Sequence, residues 1–272
     1  MKNNMGNLSG QTAIVTGAVG ILGRQLCERL ASLGSNLVLA DRELANCQAF
    51  AEKLMSEHDI DCLPIGVNLA DRVADREIIE AATAHFGESP RLLVNNAASK
   101  SASLDDFFTP DDDYSPETWR EVMAVNLEAP FFLSCAFAKP LLASSQSGSI
   151  VNIASIYGHM SPDQRIYAGA EYMGKQITSP AVYSTSKAGI LGMTRHLAGL
   201  WGGRGIRVNS VAPGGVFSGQ NSRFEEQYSA RVPMGRMAMP GEIAPTIAFL
   251  LSEESSYVNG QNWLVDGGLS AW

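Results

Sequence analysis

The sequence has few of the residues from which disulfide frameworks and metal sites are built. It contains four cysteines and four histidines among 272 residues. The cysteines are widely spaced, without the intervals typical of metal ligands or redox pairs, so we expect reduced thiols in a cytoplasmic protein. The histidines are scattered as well and supply no set of zinc ligands. The sequence therefore predicts no metal site.

Basic residues and long hydrophobic runs are also scarce. The chain has 20 lysines and arginines against 28 aspartates and glutamates, a net charge of −8. This balance argues against a nucleic acid partner, whose phosphates require a basic face. No uncharged apolar run reaches the roughly 18 residues of a membrane span, and the N-terminus has no apolar signal-peptide segment. We therefore expect no nucleic acid and no membrane partner.

Apolar, β-branched runs alternate with helical patterns along the whole chain. Most of the runs are continuously apolar, as in parallel strands covered on both faces. The sequence therefore predicts a single α/β domain over residues 1–272, a Rossmann fold with a doubly wound parallel sheet of about seven strands. The candidate strands are Gln11–Thr16, Asn36–Ala40, Asp61–Val67, Arg91–Asn95, Ser149–Ile153, Ile206–Val211 and Asn262–Val265. The candidate helices are Gly20–Leu33, Glu43–Glu57, Arg72–Phe86, Ser115–Ala143, Ser179–Gly202 and Gly241–Ser252.

A glycine-rich turn joins the first candidate strand to the first helix. Gly17, Gly20 and Gly23 permit a tight turn, close approach of the backbone to a pyrophosphate, and close packing of helix on strand. Such a turn in the first βα unit predicts a dinucleotide site. The turn residues that we expect to bind the cofactor are Gly17, Val19, Gly20, Ile21, Leu22 and Gly23.

Asp41 ends the second candidate strand, about 20 residues after the turn. A carboxylate there can accept hydrogen bonds from the adenosine ribose and repels a 2′-phosphate, which favours NAD over NADP. Arg42 is the counter-argument, because a guanidinium can hold that phosphate. We expect NAD as the cofactor, with NADP as the less favoured alternative.

Tyr183 and Lys187 are four residues apart on a candidate helix, hence on one face. A free phenol has a pKa near 10, and a neighbouring ammonium lowers it towards the range useful for proton transfer. Ser155 follows the fifth candidate strand, where a hydroxyl can bond the reacting oxygen. Tyr183 and Lys187 alone would also fit an ordinary amphipathic helix.

Together with these residues, an ordered set of further motifs resembles the short-chain dehydrogenase/reductase superfamily. The motifs extend from about Leu8 to the C-terminus, and they include Asn95-Asn96-Ala97, Asn126, Ser155, Tyr183 and Lys187, Pro213-Gly214, and Asp266-Gly267-Gly268. The resemblance implies an NAD(P)-dependent oxidoreductase that interconverts a secondary alcohol and a ketone.

The resemblance also implies a catalytic tetrad of Asn126, Ser155, Tyr183 and Lys187. Tyr183 is then the general acid/base, and Ser155 holds the substrate oxygen. Lys187 binds the nicotinamide ribose and lowers the pKa of Tyr183, while Asn126 helps to hold a water of the proton relay. The remaining implied cofactor residues are Asn68, Leu69, Asn95, Asn96, Ala97, Pro213, Gly214, Val216 and Ser218, with Tyr183 and Lys187 also contacting the cofactor.

Pro130 gives this relay a physical reason of its own. Proline has no N–H to donate to the carbonyl four residues earlier, which is that of Asn126. We therefore expect a local kink and a backbone carbonyl free to bind water.

Two features depart from the single-domain branch of the superfamily. The turn is spaced T-G-x-x-G-x-x-G, which resembles the extended branch, and 28 positions separate Ser155 from Tyr183, more than the usual dozen or so. Too few residues follow Lys187 for a separate substrate domain of the usual size. We expect a single-domain enzyme with an enlarged active-site loop.

Three loops, at 99–114, 156–179 and 215–239, are expected to frame a small-molecule substrate. The second loop contains Tyr157, Tyr167, Tyr172, Arg165 and Lys175, a mixture that suits a polyol or a sugar. The chain also resembles bacterial oxidoreductases of surface-sugar and flagellin modification. The alternatives are a 3-oxoacyl (acyl-carrier) reductase and an inactive cofactor-binding regulator. The resemblance further implies a homotetramer, or else a dimer, assembled through Ser115–Ala143 and Ser179–Gly202.

Overall fold

The computed structural model describes residues 6–272 and contains a seven-stranded parallel sheet with a short separate hairpin. The strand order in the sheet is β3-β2-β1-β4-β5-β8-β9, and β6 pairs with β7 in the antiparallel hairpin. The order reverses between β1 and β4, which is where doubly wound sheets open a ligand crevice. The strands are β1 (Thr12–Thr16), β2 (Asn36–Asp41), β3 (Cys62–Gly66), β4 (Leu92–Asn95), β5 (Gly148–Ile153), β6 (Glu171–Tyr172), β7 (Lys175–Gln176), β8 (Ile206–Pro213) and β9 (Asn262–Val265).

Helices cover both faces of the sheet. Helices α1, α2 and α9 bury their apolar faces on one side, and α3, α6 and α7 on the other. The helices are α1 (Ile21–Ser32), α2 (Leu44–Glu57), α3 (Ala74–Phe86), α4 (Leu104–Phe107), α5 (Pro116–Met123), α6 (Ala129–Ala143), α7 (Ala181–Trp201), α8 (Ser222–Ser229) and α9 (Ala244–Leu251).

The central strands show why their sequences are continuously apolar. In β1, Ala13 and Val15 belong to the core under α1 and α2, whereas Ile14 belongs to the core under α3 and α6. Successive side chains of a strand point to opposite faces, so a sheet covered on both sides needs apolar residues at every position. The predicted fold class and all seven predicted strands are confirmed, with bounds that differ by two residues at most.

The helices differ from the sequence-based expectation in three places. The predicted helix Ser115–Ala143 is continuous but divides into α5, a π-helical turn at Ala124–Glu128, and α6. Helix α7 begins at Ala181 with Pro180 as its N-cap residue, two residues after the predicted start at Ser179. Two short helices, α4 and α8, and the β6–β7 hairpin lie in loops where the sequence shows no periodic pattern.

The segment Pro116–Ala143 is long and apolar enough, by length and composition, to cross a membrane. In the structure its α6 part packs on the sheet through Leu133, Phe137 and Leu141. The core helix of a globular protein passes the same test, and α6 has that position.

Three cysteines that are distant in sequence share one core. Cys27, Cys47 and Cys62 are buried together and free. Burial raises the pKa of all three, to about 11 for Cys47 and to about 12 for Cys62. They therefore remain protonated thiols near neutral pH.

Candidate active site

A cavity of about 320 Å³ lies at the carboxyl edge of the sheet. Its wall combines residues that follow β1, β4, β5 and β8 with the start of α7 and with all three predicted substrate loops. Of the predicted site residues, the cavity is lined by Leu22, Asn96, Ser155, Tyr183, Lys187, Pro213, Gly214, Val216 and Ser218.

The glycine-rich turn packs too closely to accept side chains. A Cβ atom on Gly23 would lie 2.0 Å from the carbonyl oxygen of Gly17, and Gly17 itself has a φ of +64°. A Cβ on Gly17 would lie 2.9 Å from Cα of Ala97, which follows β4. The turn is therefore pressed against α1 on one side and against the β4 loop on the other.

The N-terminus of α1 is open to an anion. Gly20 is the N-cap residue and provides no side-chain cap, and the first turn contains no acidic residue. The first N–H groups of a helix lack partners within the helix and attract negative charge. Leu22 and Ile21 flank this end, and Ile21 is 47% exposed. The turn thus has the shape and polarity of a pyrophosphate site.

Asp41 lies beside this turn at the end of β2. Its carboxylate accepts hydrogen bonds from the N–H groups of Val19, at 3.3 Å, and Arg42, at 2.7 Å. The carboxylate is thus held over the mouth of the glycine turn, while Arg42 is exposed.

The Asn95-Asn96-Ala97 segment divides between the core and the cavity. The amide of Asn95 points into the core, where it donates to Oδ1 of Asn152 at 2.7 Å and to Oγ of Ser134 at 3.1 Å. Asn96 lines the cavity and donates to the carbonyls of Thr16 and Gly17. The side chain of Asn95 therefore braces β4 against β5, and the cavity side of the segment is formed by Asn96.

Asn68 and Leu69 lie after β3, outside the cavity wall. The side chain of Asn68 is exposed and takes part in a local turn, where Oδ1 accepts from the N–H of Ala70 at 3.2 Å. Leu69 is partly buried against the core under α3. Both positions remain predicted cofactor contacts.

The segment after β8 offers backbone groups to the cavity. The N–H of Phe217 and the carbonyl of Gly215 bond to Ala238, so those of Val216 between them face the other way. The Gln220 side-chain amide donates to the Val216 carbonyl at 3.2 Å and accepts from the Ser218 N–H at 2.7 Å. This backbone therefore has the geometry to bind a primary amide.

Ser155, Tyr183 and Lys187 meet at the floor of the cavity. The Nζ atom of Lys187 donates to the carbonyl of Ile153 at 2.8 Å and lies 6.0 Å from the centre of the Tyr183 ring. Ser155 is only 6% exposed, and its side chain lies close enough to the Tyr183 hydroxyl to lower the pKa of the phenol. The side chains of the serine and the tyrosine, predicted from separate motifs, therefore lie within contact of each other.

Burial is the main influence on the titrating groups here. It raises the pKa of Tyr183, and the Ser155 hydroxyl beside it offsets part of that rise. It lowers the pKa of Lys187 from 10.5 to about 8. In the protein alone the pKa of Tyr183 is thus shifted upwards, and its lowering by Lys187 remains a prediction.

Asn126 lies behind the cavity, not in its wall. It is 1% exposed, and its Oδ1 accepts from the N–H of Ser99 at 2.7 Å. Asn126 belongs to the π-helical turn, in which the N–H of Ala129 donates to the carbonyl of Ala124 five residues earlier. A π-turn is one way in which a helix accommodates a residue without an N–H, here Pro130. The free Asn126 carbonyl remains a hypothesis.

The outer part of the cavity is more aromatic than the sequence suggested. Tyr157, Tyr167 and Tyr172 line it as expected, and the hydroxyls of Tyr157 and Tyr167 are 3.2 Å apart. Arg165 and Lys175 do not line it; they form ion pairs with Asp163 and Asp105. The three predicted loops contain further wall residues that sequence reasoning did not single out: Lys100, Phe107, Phe108, Ile177, Thr178, Phe224, Tyr228 and Met237.

Comparison with known proteins decides the family. The family model described as Enoyl-(Acyl carrier protein) reductase matches residues 17–270. A solved short-chain dehydrogenase from Leptospira borgpetersenii with bound NAD+ aligns with a TM-score of 0.84 at 31% identity, covering 99% of this chain and 96% of that one. The chain is a short-chain dehydrogenase/reductase.

Curated relatives of this dehydrogenase act on different substrates. Galactitol 2-dehydrogenase (L-tagatose-forming) from Cereibacter sphaeroides is 36% identical, with 97% of each chain covered. The 3-oxoacyl-[acyl-carrier-protein] reductase of Thermotoga maritima is 32% identical, covering 96% of this chain and 98% of that one. A structure described as a 2-deoxy-d-gluconate 3-dehydrogenase from Agrobacterium tumefaciens with NADP has a TM-score of 0.82 and 31% identity, covering 99% and 100% of the two chains. The protein is an NAD(P)-dependent oxidoreductase that acts on CH–OH groups.

The residues present fit a nicotinamide dinucleotide. The glycine turn is packed so closely that it carries no side chains between its backbone and a ligand, and the start of α1 is uncapped. The Val216 carbonyl and the Ser218 N–H bind the side-chain amide of Gln220, which has the same donor and acceptor groups as a carboxamide. These features correspond to the pyrophosphate and the carboxamide of the cofactor. In this dehydrogenase they lie at the same edge of the sheet as Ser155 and Tyr183.

Proposed function

We propose that this enzyme interconverts a secondary alcohol and a ketone in a polyol or sugar-derived substrate, with Tyr183 as general acid/base. The observation that carries the proposal is the cavity itself, whose wall places the hydroxyls of Ser155 and Tyr183 together with several further polar side chains. The amide nitrogen of Asn96 bonds to the backbone and the Thr178 hydroxyl donates to Gln164, but the oxygens of both side chains can still accept hydrogen bonds from substrate hydroxyls. The similarity to galactitol 2-dehydrogenase supports the same substrate class.

The proposed chemistry divides between the cofactor and the chain. The bound nicotinamide supplies the hydride acceptor in oxidation and the hydride donor in reduction. Ser155 donates a hydrogen bond to the substrate oxygen, and Tyr183 removes the alcohol proton or returns it to the ketone. Lys187 holds the nicotinamide ribose and, as a cation beside the ring of Tyr183, favours the phenolate. Asn126 and its carbonyl hold a water through which the proton leaves.

We assign NAD as the cofactor in preference to NADP. Asp41 supports this choice, since its carboxylate lies over the glycine turn and would repel a 2′-phosphate. Arg42 is the opposing feature, and solved relatives contain either cofactor. The remaining proposed cofactor contacts are those of Asn68, Leu69, Asn95, Asn96, Ala97, Pro213 and Gly214.

A 3-oxoacyl reductase is the second candidate function. It is favoured by the apolar side chains in the outer cavity, such as Phe107, Phe108 and Met237, and by the similarity to the Thermotoga enzyme. An inactive cofactor-binding regulator is disfavoured by the complete Asn126, Ser155, Tyr183 and Lys187 set.

One substrate screen separates these functions. The purified enzyme is assayed with NAD and NADP against alditols, sugars and 3-oxoacyl thioesters, by absorbance of the reduced cofactor. We expect turnover of polyols or sugars with NAD. Turnover confined to oxoacyl thioesters would replace the proposal by the second candidate, and cofactor binding without any turnover would favour the regulator.

We also propose that the enzyme is a homotetramer, with a dimer as the alternative. We further propose that each chain is one catalytic domain and that the protein is cytoplasmic. Exposed Phe131 and Phe132 on α6 and Leu200 on α7 support an interface along these helices. Light scattering of the protein and of a Phe132→Glu variant measures this, and equal monomer masses for both would contradict it.

A further inference from the structure

Lys100 is an unassigned charged residue in the wall of the catalytic cavity. The backbone on either side of it is fixed. The N–H of Ser99 bonds to buried Asn126, and the N–H of Ser101 bonds to Oγ of Ser99 at 3.0 Å. The backbone beside the lysine is therefore held by a member of the proposed tetrad, and the amino group lies over the ring of Tyr172, which also lines the cavity.

The charged residues that line this cavity are Lys100 and Lys187, without an aspartate or glutamate among the described wall residues. This is unexpected for a chain with a net charge of −8. Lys187 is bonded to the carbonyl of Ile153 and is assigned to the nicotinamide ribose. Lys100 is thus the cation available to the substrate.

The amino group of Lys100 has no carboxylate within ion-pair distance in the part of the chain from residue 6 onwards. Its neighbour is the ring of Tyr172, whose centre is 4.3 Å away. A ring face positions the cation without neutralising it. Partial burial lowers the pKa of Lys100, and a bound anion would offset that effect.

Lys175 provides a contrast in the same region. It lies on the neighbouring hairpin, outside the cavity wall, and its amino group pairs with Asp105 at 2.6 Å. One lysine of this region is therefore neutralised by the chain, and the one that faces the substrate is left for a ligand.

We propose that Lys100 binds a carboxylate or phosphate of the substrate, so that the enzyme acts on an anionic sugar derivative, such as an aldonate or a sugar phosphate. This inference rests on the proposed polyol or sugar function and makes the substrate class narrower. Both anions accept charge-assisted hydrogen bonds from an ammonium group.

The test uses three related substrates: an alditol, its terminal phosphate, and the corresponding aldonate. With NAD, we expect kcat/KM of the wild type to be highest for one of the two anions, and the better one identifies the group. Lys100→Met should lower that value by about 10- to 100-fold, mainly through KM, and leave the alditol unchanged. Lys175→Met is the matched control and should change neither.

A structural role of Lys100, through its contact with Tyr172, has a different signature. Lys100→Met would then reduce turnover of the alditol and of the anions equally, and this result would overturn the proposal. A wild type that prefers the neutral alditol would overturn it as well.

Binding to the enzyme–NAD complex separates this inference from the proposed reaction. The thermal shift caused by each of the three compounds is measured for wild type and Lys100→Met. A thermal shift that is specific to an anion and is lost in Lys100→Met supports the Lys100 site, even if none of the three compounds is turned over. The absence of turnover would then count only against the proposed substrates. Equal shifts in both proteins would overturn the site.

Discussion

The amino group of Lys187 donates a hydrogen bond of 2.8 Å to the carbonyl of Ile153, the last residue of β5. The side chain is 3% exposed. This contact ties α7 to the end of β5, two residues before Ser155, and thus fixes the spacing between the serine and Tyr183. Because the partner is a neutral carbonyl, it does not compensate for the lost hydration of the ammonium, and burial lowers the pKa to about 8.

Replacing Lys187 should change how stability depends on pH. The lysine pKa falls from 10.5 in the unfolded chain to about 8 in the fold, so the unfolded state binds more protons between these values. Below pH 8 the buried ammonium therefore lowers the free energy of unfolding of the wild type, and this destabilisation disappears as the pH rises to 10.5. Lys187→Met lacks this destabilisation, so its advantage in free energy of unfolding should be largest at pH 7, up to roughly 3 kcal/mol before the lost hydrogen bond is counted. Urea unfolding from pH 7 to 10 measures this, and a difference independent of pH would contradict it.

Tyr183→Phe should abolish proton transfer while preserving the site. The ring remains in place and the hydroxyl beside Ser155 is lost. We expect kcat to fall by about 10²- to 10⁴-fold, with NAD affinity, measured by calorimetry, within about threefold. Ser184→Ala is the control in the same helical turn, because its hydroxyl has no hydrogen-bond partner within residues 6–272. Comparable turnover in Tyr183→Phe and wild type would show that the acid/base lies elsewhere.

Gly23→Ala should disrupt the dinucleotide site. The added Cβ would lie 2.0 Å from the Gly17 carbonyl oxygen, which is backbone and forces the turn to move. We expect weaker NAD binding, by at least about tenfold, and a loss of stability of about 1–3 kcal/mol from overpacking. Ser32→Ala, exposed at the other end of α1, should change stability by no more than about 0.5 kcal/mol. Calorimetry and urea unfolding give both quantities, and normal NAD affinity in Gly23→Ala would remove the pyrophosphate role from this turn.

Asp41→Asn should relax the choice between the two cofactors. Asparagine keeps one acceptor oxygen, which can retain the 2.7 Å bond from the N–H of Arg42. Its amide nitrogen replaces the oxygen that accepts from the N–H of Val19 at 3.3 Å, and the negative charge is removed. The ratio of kcat/KM for NAD to that for NADP should therefore fall by about tenfold or more, chiefly because NADP improves. Asp75→Asn, in the first turn of α3, serves as the control. A wild type that prefers NADP would show that Arg42 outweighs the carboxylate.

How far the sequence alone could lead is clear from particular residues. The strands were predictable because a parallel sheet covered on both faces requires unbroken apolar runs, as in β1. Ser155 was predictable because it follows a strand, β5, that ends at the carboxyl edge of the sheet. Tyr183 was predictable because it lies near the start of a helix, α7, that begins at the same edge. The side-chain direction of Asn95 was not predictable, because a sequence motif does not show which neighbouring groups an amide will form hydrogen bonds with. The loop that contains Lys100 was predicted to frame the substrate, but no sequence pattern showed which of its side chains would line the cavity.

The π-helical turn is a second feature that the sequence alone does not predict. The sequence predicts one helix over Ser115–Ala143 and does not mark the extra residue of the π-helical turn at Ala124–Glu128. Pro130 was the available signal, because a missing N–H must be accommodated locally.

Pro130→Ala tests whether this turn serves the reaction. Alanine supplies an N–H to the carbonyl of Asn126, which would then be bonded within the helix and closed to water. We expect kcat to fall by about tenfold or more with an increased solvent isotope effect, while stability is unchanged or higher, because proline is unfavourable inside a helix. Pro140→Ala, inside α6 and outside the cavity wall, makes the same chemical change away from the site and should retain full turnover. If Pro130→Ala had the same kcat and the same solvent isotope effect as Pro140→Ala, the Asn126 carbonyl would have no part in moving the proton.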